Sequence, residues 1–276
     1  MRKMGFFRTV AILTLIISSV SCSEFRKIQK SEGWEGKYEA ALKYYEGEDY
    51  YRAIALFEEV IPLIKGKTEG EKAEFYYAYS HYYDKLYLLS SHYFKSFYET
   101  YSRSDFALES QYMYAYSLYK DSPVYNLDQA STKEAINAMQ AFINKYSDSE
   151  YASNATEIID ELQVKLETKA YFNVKQYYKL SIFKSALIAF ENFSKDYPDS
   201  EYNEELQYLD IDVRHKLAVQ SISSVQNERY REVITAYEEF IDAYPESSFA
   251  KEAERLFINS RDQLVRIKKQ ENQLNN

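Results

Sequence analysis

The sequence predicts an all-α protein, an α-solenoid of about five helix pairs followed by a C-terminal helix. Its 276 residues include only six glycines and four prolines, too few for the frequent tight turns of an all-β fold. One seven-residue segment also recurs, and we call its four copies marks: TYSRSDF, KYSDSEY, DYPDSEY and AYPESSF, from residues 100, 145, 196 and 243. Their tyrosines are 45, 51 and 47 residues apart, and such self-similarity is typical of a solenoid.

An amphipathic stretch precedes each mark, and a fifth such stretch without a mark lies at residues 50–64. Each stretch carries a small residue, a bulky residue four positions later and an apolar residue three further on. A small residue lets a paired helix come close, while the larger residues fill the space toward the next repeat. The five triplets are Ala53/Phe57/Val60, Ser90/Phe94/Phe97, Ala135/Met139/Phe142, Ala186/Phe190/Phe193 and Val233/Tyr237/Phe240.

These stretches resemble the second helices of tetratricopeptide repeats. The resemblance implies a first helix before each of them and a closing helix after the last. Because the period exceeds the roughly 34 residues of ordinary tetratricopeptide repeats, we expect long first helices. The expected first helices are residues 36–48, 70–83, 104–120, 149–179 and 201–226, and the closing helix is 248–270. We divide the repeats into an N-terminal set of three helix pairs, 36–146, and a C-terminal set, 147–276.

The first 21 residues have the pattern of a secretory signal peptide. Arg2, Lys3 and Arg8 give a positive start, and residues 10–20 form an apolar segment too short to span a bilayer. We therefore interpret residues 1–21 as a signal peptide.

The only cysteine, Cys22, follows this segment directly. The sequence SSVSC resembles the lipobox of bacterial lipoproteins, although Ser19 stands where leucine is usual. The resemblance implies cleavage before Cys22 and a covalent lipid on it, with 22–35 as the lipidated tether. The alternative is a buried, small hydrophobic cysteine. Ser23, and not aspartate, follows the cysteine. In lipoproteins this resembles the pattern for sorting to the outer membrane.

Composition argues against nucleic-acid binding, and the motifs argue against an enzyme. The chain carries a formal charge of -9, so it repels nucleic-acid phosphates. The three histidines, His81, His92 and His215, form no HExxH pattern, and we expect packing or solvated roles for them. The sequence contains neither a glycine-rich phosphate loop nor a G-x-S-x-G elbow. We predict no catalytic residues, no metal site and no cofactor apart from the lipid on Cys22.

Thirty tyrosines crowd the chain, especially its early helices. Most of them are expected to pack between helices, and the remainder to face a concave surface. There a rigid ring with a polar tip suits peptide recognition. The partner-binding candidates chosen by helix position are Tyr44, Tyr76, Tyr79 and Tyr83.

One segment, KDSPVYNLDQAST at residues 120–132, interrupts the repeat rhythm. It has two interpretations, between which the sequence does not decide. The first is a spacer in which Pro123 ends one helix and Ser131 or Thr132 caps the next. The second is a binding element inserted on one face of the solenoid. Its candidate partner contacts are Tyr125, Asn126 and Asp128.

Taken together, the lipobox, the long repeats, the marks and the SPVYNLDQ insertion followed by AINAMQAFINKYSDSEYA resemble the BamD family. The resemblance covers essentially the whole chain after residue 21. It implies a lipid-anchored protein on the periplasmic face of the outer membrane, in the β-barrel assembly machinery. Its C-terminal repeats would bind a BamA-type outer-membrane barrel protein, and its N-terminal repeats would contact unfolded outer-membrane proteins. Ser102 and Ser147 depart from the proline of the family's marks.

Two other functions stay open at this point. One is a different periplasmic tetratricopeptide lipoprotein that coordinates cell-envelope or cell-wall assembly, although residues 24–40 show no sustained heptads. The other is a surface glycan-binding lipoprotein of the SusD kind, but those are much longer, and Trp34 is the only tryptophan here.

Overall fold

The protein is described by a computed structural model, which covers residues 24–274. The described chain is a succession of α-helices joined by short turns. The helices are α1 (24–29), α2 (Glu35–Glu46), α3 (Tyr50–Ile64), α4 (Thr68–Tyr83), α5 (Tyr87–Thr100), α6 (Ala107–Asp121), α7 (Ala130–Lys145), α8 (Ala152–Lys179), α9 (Phe183–Asp196), α10 (Asn203–Val219), α11 (Ser223–Ala243) and α12 (Ala250–Leu274).

The predicted all-α fold with five helix pairs and a C-terminal helix is confirmed. The pairs are α2/α3, α4/α5, α6/α7, α8/α9 and α10/α11, and α12 closes the series. One predicted first helix is too long, because α10 ends at Val219 and not at residue 226. Ile222 has an extended backbone, φ -66° and ψ 150°, and the serines around it favour turns and caps over helix interiors.

The chain divides into two compact units. Unit 1 ends at Gln163 and unit 2 begins at Val164. The first half of α8 contributes Ile158 and Leu162 to the core of unit 1. The second half contributes Tyr171 to the core of unit 2.

The residue triplets of the second helices form the centre of these cores. Fourteen of the fifteen side chains are buried, and Tyr237 is half-buried. Ser90 illustrates the role of a small residue at the first triplet position. Its hydroxyl donates to the Ala78 carbonyl on α4 at 3.1 Å and lies 3.1 Å from the hydroxyl of Ser117 on α6. Three helices can approach closely there because no bulky side chain intervenes.

Three of the turns inside helix pairs share one geometry. Glu48, Lys85 and Ser181 have left-handed backbones, with φ of 60°, 63° and 59°. The residue after each donates its N–H to a carbonyl five residues back, as Leu86 does to His81 at 2.9 Å. This is the Schellman helix ending, in which the left-handed position usually holds glycine.

The marks form the turns between pairs and share a second geometry. In each, the serine three residues after the tyrosine donates its N–H to the tyrosine carbonyl, at 2.9–3.2 Å. In three marks, the same serine's hydroxyl accepts the N–H two residues later, as Ser200 does from Tyr202 at 3.1 Å. Neither Ser200 nor Asp199 caps the next helix. Tyr202 is the N-cap of α10 and has no side-chain cap, because Ser200 is used inside the turn.

The aromatic residue at the end of each mark stacks on a ring from the preceding first helix. The ring centroids are 4.0–4.9 Å apart, and the ring planes lie within 23° of parallel. The stacked pairs are Phe75–Phe106, Tyr112–Tyr151, Tyr171–Tyr202 and Tyr208–Phe249.

Candidate functional site

Three of the four predicted tyrosines lie together in unit 1. Tyr76, Tyr79 and Tyr83 occupy successive turns of one face of α4, and two tyrosines from the α2/α3 pair join them. Tyr45 lies 4.7 Å from Tyr76, and Tyr50 stacks on Tyr83 at 4.9 Å, measured between ring centroids. We call these five residues the tyrosine cluster.

The hydroxyls of Tyr45 and Tyr79 remain protonated. Burial, followed by the neighbouring tyrosines, raises the pKa of Tyr45 far above its ordinary value. Burial, and then the hydrogen bond that the Tyr79 hydroxyl donates to Glu109, raise the pKa of Tyr79 still more. Tyr83 is the most accessible member, with 46% of its surface exposed. The cluster therefore presents aromatic rings with hydroxyl groups at their tips.

Tyr44 does not belong to this cluster. Its ring meets Phe25 edge-on at 5.8 Å, and the Arg52 guanidinium lies 5.6 Å from its centroid. Burial raises the Tyr44 pKa, and Arg52 opposes that rise. Since successive helix positions differ by about 100° around the axis, Tyr44 and Tyr45 lie on different faces of α2, and Tyr45 is the one that meets the cluster. Ala41, four residues before Tyr45, is buried on the same face.

The insertion forms an ordered loop, 122–129, between α6 and α7. The buried Gln129 amide donates to the carbonyls of Val124 and Leu127 at 2.9 and 3.0 Å, and its oxygen accepts from Thr132 at 2.7 Å. This bracing leaves Val124 and Leu127 projecting, with both side chains more than half exposed. Among the partner candidates, Asn126 and Asp128 are exposed and Tyr125 is half-buried.

The expected cap of α7 is wrong. Ser131 and Thr132 lie inside the helix, and Gln129 is the N-cap residue without a side-chain cap. Asp128 instead accepts the N–H of Ala130 at 2.9 Å, and Ser131 donates to Asp121 at 2.6 Å. The Gln129 side chain is committed to the loop carbonyls, so a neighbouring residue binds the free N–H group.

A groove in unit 2 was not anticipated from the sequence. It has a volume of about 610 Å³, with α10 as its floor and α9 and α11 as its walls. Ile188 on α9 is 61% exposed at its side. The α11 wall presents the small side chains of Ala236 and Ala243, which leave the space above α10 unfilled.

A charged pair crosses the floor of this groove. Arg214 Nε donates to Asp210 at 2.5 Å, and its Nη1 lies 3.6 Å from Glu232 of α11. Burial raises the pKa of Asp210, whereas the hydrogen bond from Arg214 opposes that rise. Glu191 and Glu239 on the walls add further negative charge. The groove therefore combines apolar side chains with an ion pair and an excess of negative charge. The spacing of Asp210 and Arg214, four residues apart on one helix, was its signal in the sequence.

The described residues offer neither a metal-binding cluster nor a membrane-spanning helix. Between residues 24 and 274, no three His, Asp, Glu or Cys side chains stand close enough to hold a metal ion. No helix in that range is long and apolar enough to cross a bilayer. Cys22 and the predicted signal peptide, 1–21, lie outside the described residues.

Comparison with known proteins gives one family. The family model YfiO, described as an outer membrane lipoprotein, matches residues 34–179 and 167–270. No curated protein matches the chain. Among solved structures, the TPR2AB domain of yeast Sti1 in complex with pHSP90 aligns with 83% of this chain and 98% of its own, at 14% identity and a TM-score of 0.37. A likeness of that degree carries no argument about the sites.

Proposed function

The chain belongs to the YfiO family of outer membrane lipoproteins, which is the BamD family, and from this premise we propose that it is a non-enzymatic scaffold of the outer-membrane β-barrel assembly machinery. The observation that carries the proposal is the extent of the family match, which includes the tyrosine cluster of unit 1 and the groove of unit 2. A scaffold needs two separate partner surfaces, and each unit offers one.

We assign the groove of unit 2 to a BamA-type outer-membrane barrel protein. Ile188 and Leu187 give the groove an apolar side, and the core of a protein interface is usually apolar with few charges. Arg214 is already paired with Asp210 at 2.5 Å, and Glu191, Glu232 and Glu239 around the pair leave an excess of negative charge that suits a basic side chain of the partner. Complementary charge of this kind fixes the register of an interface.

We assign the tyrosine cluster to unfolded outer-membrane proteins. Rigid rings supply contact area at a small entropic cost, and their hydroxyls can donate to the free carbonyls of an extended chain. Because burial raises the pKa of the Tyr45 and Tyr50 hydroxyls, they stay protonated and can donate across the physiological pH range. The sequence of the bound chain is then read only loosely, as delivery of many different barrel proteins requires.

We place the protein on the periplasmic face of the outer membrane, held by lipid on Cys22. A single acyl chain anchors a protein only marginally, and stable attachment takes more than one. A triacylated cysteine satisfies this condition. Replacing Cys22 by Ala should abolish labelling with a palmitate analogue and release the protein from membranes.

Photo-crosslinking in intact envelopes tests the two assignments. A benzophenone amino acid at Ile188 should capture the barrel protein, whereas the same group at Val265, an exposed residue of α12, should not. At Tyr83 it should capture unfolded barrel proteins, with the exposed Leu63 of α3 as the control.

Depletion of the protein should lower many outer-membrane barrels together. Capture of cell-wall enzymes and no barrel protein at Ile188 would favour the alternative envelope-assembly function.

A further inference from the structure

The exposed apolar side chains of unit 1 are distributed unevenly between its two edges. Its consecutive helices are antiparallel, so the turns inside helix pairs lie at one edge and the turns between pairs lie at the other. We call the edge with the α2–α3 turn, the α4–α5 turn and the loop 122–129 the first edge. Ring contacts connect its parts: Tyr50 stacks on Tyr83 at 4.9 Å, and Tyr82 lies 6.1 Å from Tyr116.

Nearly all the large exposed apolar residues of the described part of unit 1 lie at this first edge. Tyr83 is one of them and belongs to the tyrosine cluster. Leu63, near the α3–α4 turn, is the exception and lies at the opposite edge. The remaining first-edge residues are Tyr51, Leu86, Leu88, Leu89, Val124 and Leu127. The marks at the opposite edge offer serines and charged residues instead.

The described chain also begins at the first edge. Phe25 of α1 packs edge-on against Tyr44 at 5.8 Å, and the Arg52 guanidinium lies 5.7 Å from the Phe25 ring. Tyr44 and Arg52 flank the α2–α3 turn. Glu24 lies two positions after Cys22, and a chain of that length spans at most about 7 Å. A lipid on Cys22 would therefore enter the bilayer close to this edge.

We propose that the part of the first edge formed by the start of α5 and the loop 122–129 lies against the bilayer surface, with Leu88, Leu89, Val124 and Leu127 in the interfacial region, while the tyrosine cluster beside it stays open to its own partner. This inference rests on the proposed lipidation of Cys22. The exposed leucines supply apolar area beyond the anchor, as a second attachment signal does for a lipidated protein. The anchor would then fix the orientation of unit 1 in addition to its location.

The charges of the first edge decide which lipid surface it suits. Glu48, Asp49 and Asp84 lie at its turns beside Lys85 and Arg52, so the edge is not basic. Anionic lipids attract polybasic surfaces, and this edge lacks that property. We therefore expect contact through apolar insertion, with little requirement for anionic lipid.

Fluorescence quenching by brominated lipids tests the orientation. The chain from residue 22 onward, with Cys22→Ser and an N-terminal histidine tag, is tethered to phosphatidylcholine vesicles that contain a nickel-chelating lipid. Single cysteines at Leu88, Leu127 or Leu63 carry an environment-sensitive fluorophore. The labels at 88 and 127 should lose about half of their emission or more, because they enter the interfacial region. The label at 63 should stay bright, and replacing the phosphatidylcholine partly by phosphatidylglycerol should not strengthen the effect.

A matched pair of variants tests the residues themselves. Leu88→Ser with Leu89→Ser should reduce the quenching at position 127 about twofold, because apolar burial is lost. Leu63→Ser, a change at an equally exposed leucine, should leave it unaltered. All three side chains are exposed, and circular dichroism would verify the fold of each variant.

The failures can be told apart. If Cys22 carries no lipid in cells but the tethered protein still shows quenching, the proposed lipid anchor is overturned and the proposed bilayer contact of the edge stands. Equal quenching at 63 and 88, or none at 88, would overturn the edge even if Cys22 is lipidated. A fluorophore at 88 that responds to an unfolded barrel protein and not to lipid would identify the edge as a protein-docking surface, which also contradicts the proposal.

Discussion

The ring of Tyr202 stacks on that of Tyr171, with centroids 4.0 Å apart and planes 12° from parallel. Tyr202 ends the third mark, and Tyr171 lies on α8, the preceding first helix. Equivalent stacks occur at the three other marks, so this contact is the common element that joins one helix pair to the next.

Replacing Tyr202 by Leu should lower the free energy of unfolding of unit 2 by about 1 kcal/mol, the contribution of an aromatic pair beyond its buried area. Urea denaturation followed by circular dichroism measures this loss. Tyr177→Leu is the control, because the same change is made at an exposed tyrosine of α8. Equal losses in both variants would show that the stack contributes nothing of its own.

Lys85 offers a stabilising substitution. Its left-handed backbone, φ 63°, is costly for a residue with a Cβ and natural for glycine, so Lys85→Gly should stabilise unit 1 by about 0.5–1 kcal/mol. The adjacent Asp84, with φ -78°, is the control: Asp84→Gly should bring no gain, since its backbone is already favourable. The shift of the thermal midpoint relative to the parent protein measures both effects. A loss of stability in Lys85→Gly would contradict the strain argument.

Replacing the serine by alanine should affect stability differently in two of the marks. Ser247 donates to Glu204 at 2.5 Å and accepts from the Phe249 N–H at 3.0 Å, so Ser247→Ala should cost about 1–2 kcal/mol. The buried Ser149 hydroxyl has no hydrogen-bond partner among the described residues. Ser149→Ala should therefore be neutral or stabilise by up to about 1 kcal/mol.

A cause for this difference lies in the first helices. Glu204 stands four residues before the stacked Tyr208, but Leu108 stands four before Tyr112. Urea midpoints of the two variants, each against the parent, decide the prediction, and a similar loss in both would contradict it.

His81 should make unit 1 acid-sensitive. Its ring is buried between Tyr77 and Tyr93, with centroids 4.6 and 4.9 Å away, and neither nitrogen has a hydrogen-bond partner among the described residues. Burial lowers its pKa to about 4, from an ordinary value of 6.5. As the pH falls, the unfolded chain therefore binds a proton at this histidine before the folded chain does. The contribution of the neutral ring to the folding stability is complete above pH 6.5 and is lost as the pH falls from 6.5 to about 4.

The expected loss between pH 7 and pH 4 is about 2–3 kcal/mol. Other groups titrate in the same range, so the measurement is the difference between the parent and His81→Leu in urea unfolding at both pH values. The variant should lose less stability on acidification. His92→Leu, at an exposed position of α5, controls for the removal of a histidine as such. An unchanged pH dependence in His81→Leu would contradict the prediction.

The sequence predicted well whatever depends on local spacing. The triplet Ala53, Phe57 and Val60 marks a buried stripe because the three residues share one face of a single helix, and all three are buried. The second-helix positions follow from such stripes. Capping was harder, since the Ser200 and Gln129 side chains bind groups in their own turns and cannot serve the next helix.

Features that arise between helices were beyond the reach of a single sequence. The groove of unit 2 exists because the small Ala236 side chain of α11 leaves part of α10 uncovered between α9 and α11. Such a gap depends on packing between helices, which the apolar stripe of a single helix does not reveal. Choosing Tyr45 over Tyr44 required the rotation of α2 against α4. The partner roles of Tyr76, Tyr79, Tyr83 and the loop stay predictions until the crosslinking is done.

The marks also bear on how such a chain can change over generations. The hydrogen bonds inside each mark join only residues of that turn, and its last ring needs only one aromatic residue on the helix before it. A duplicated helix pair therefore carries its own junction with it, and deletion of a pair leaves compatible ends. A chain built from such segments can therefore gain or lose whole repeats without requiring a new kind of connection.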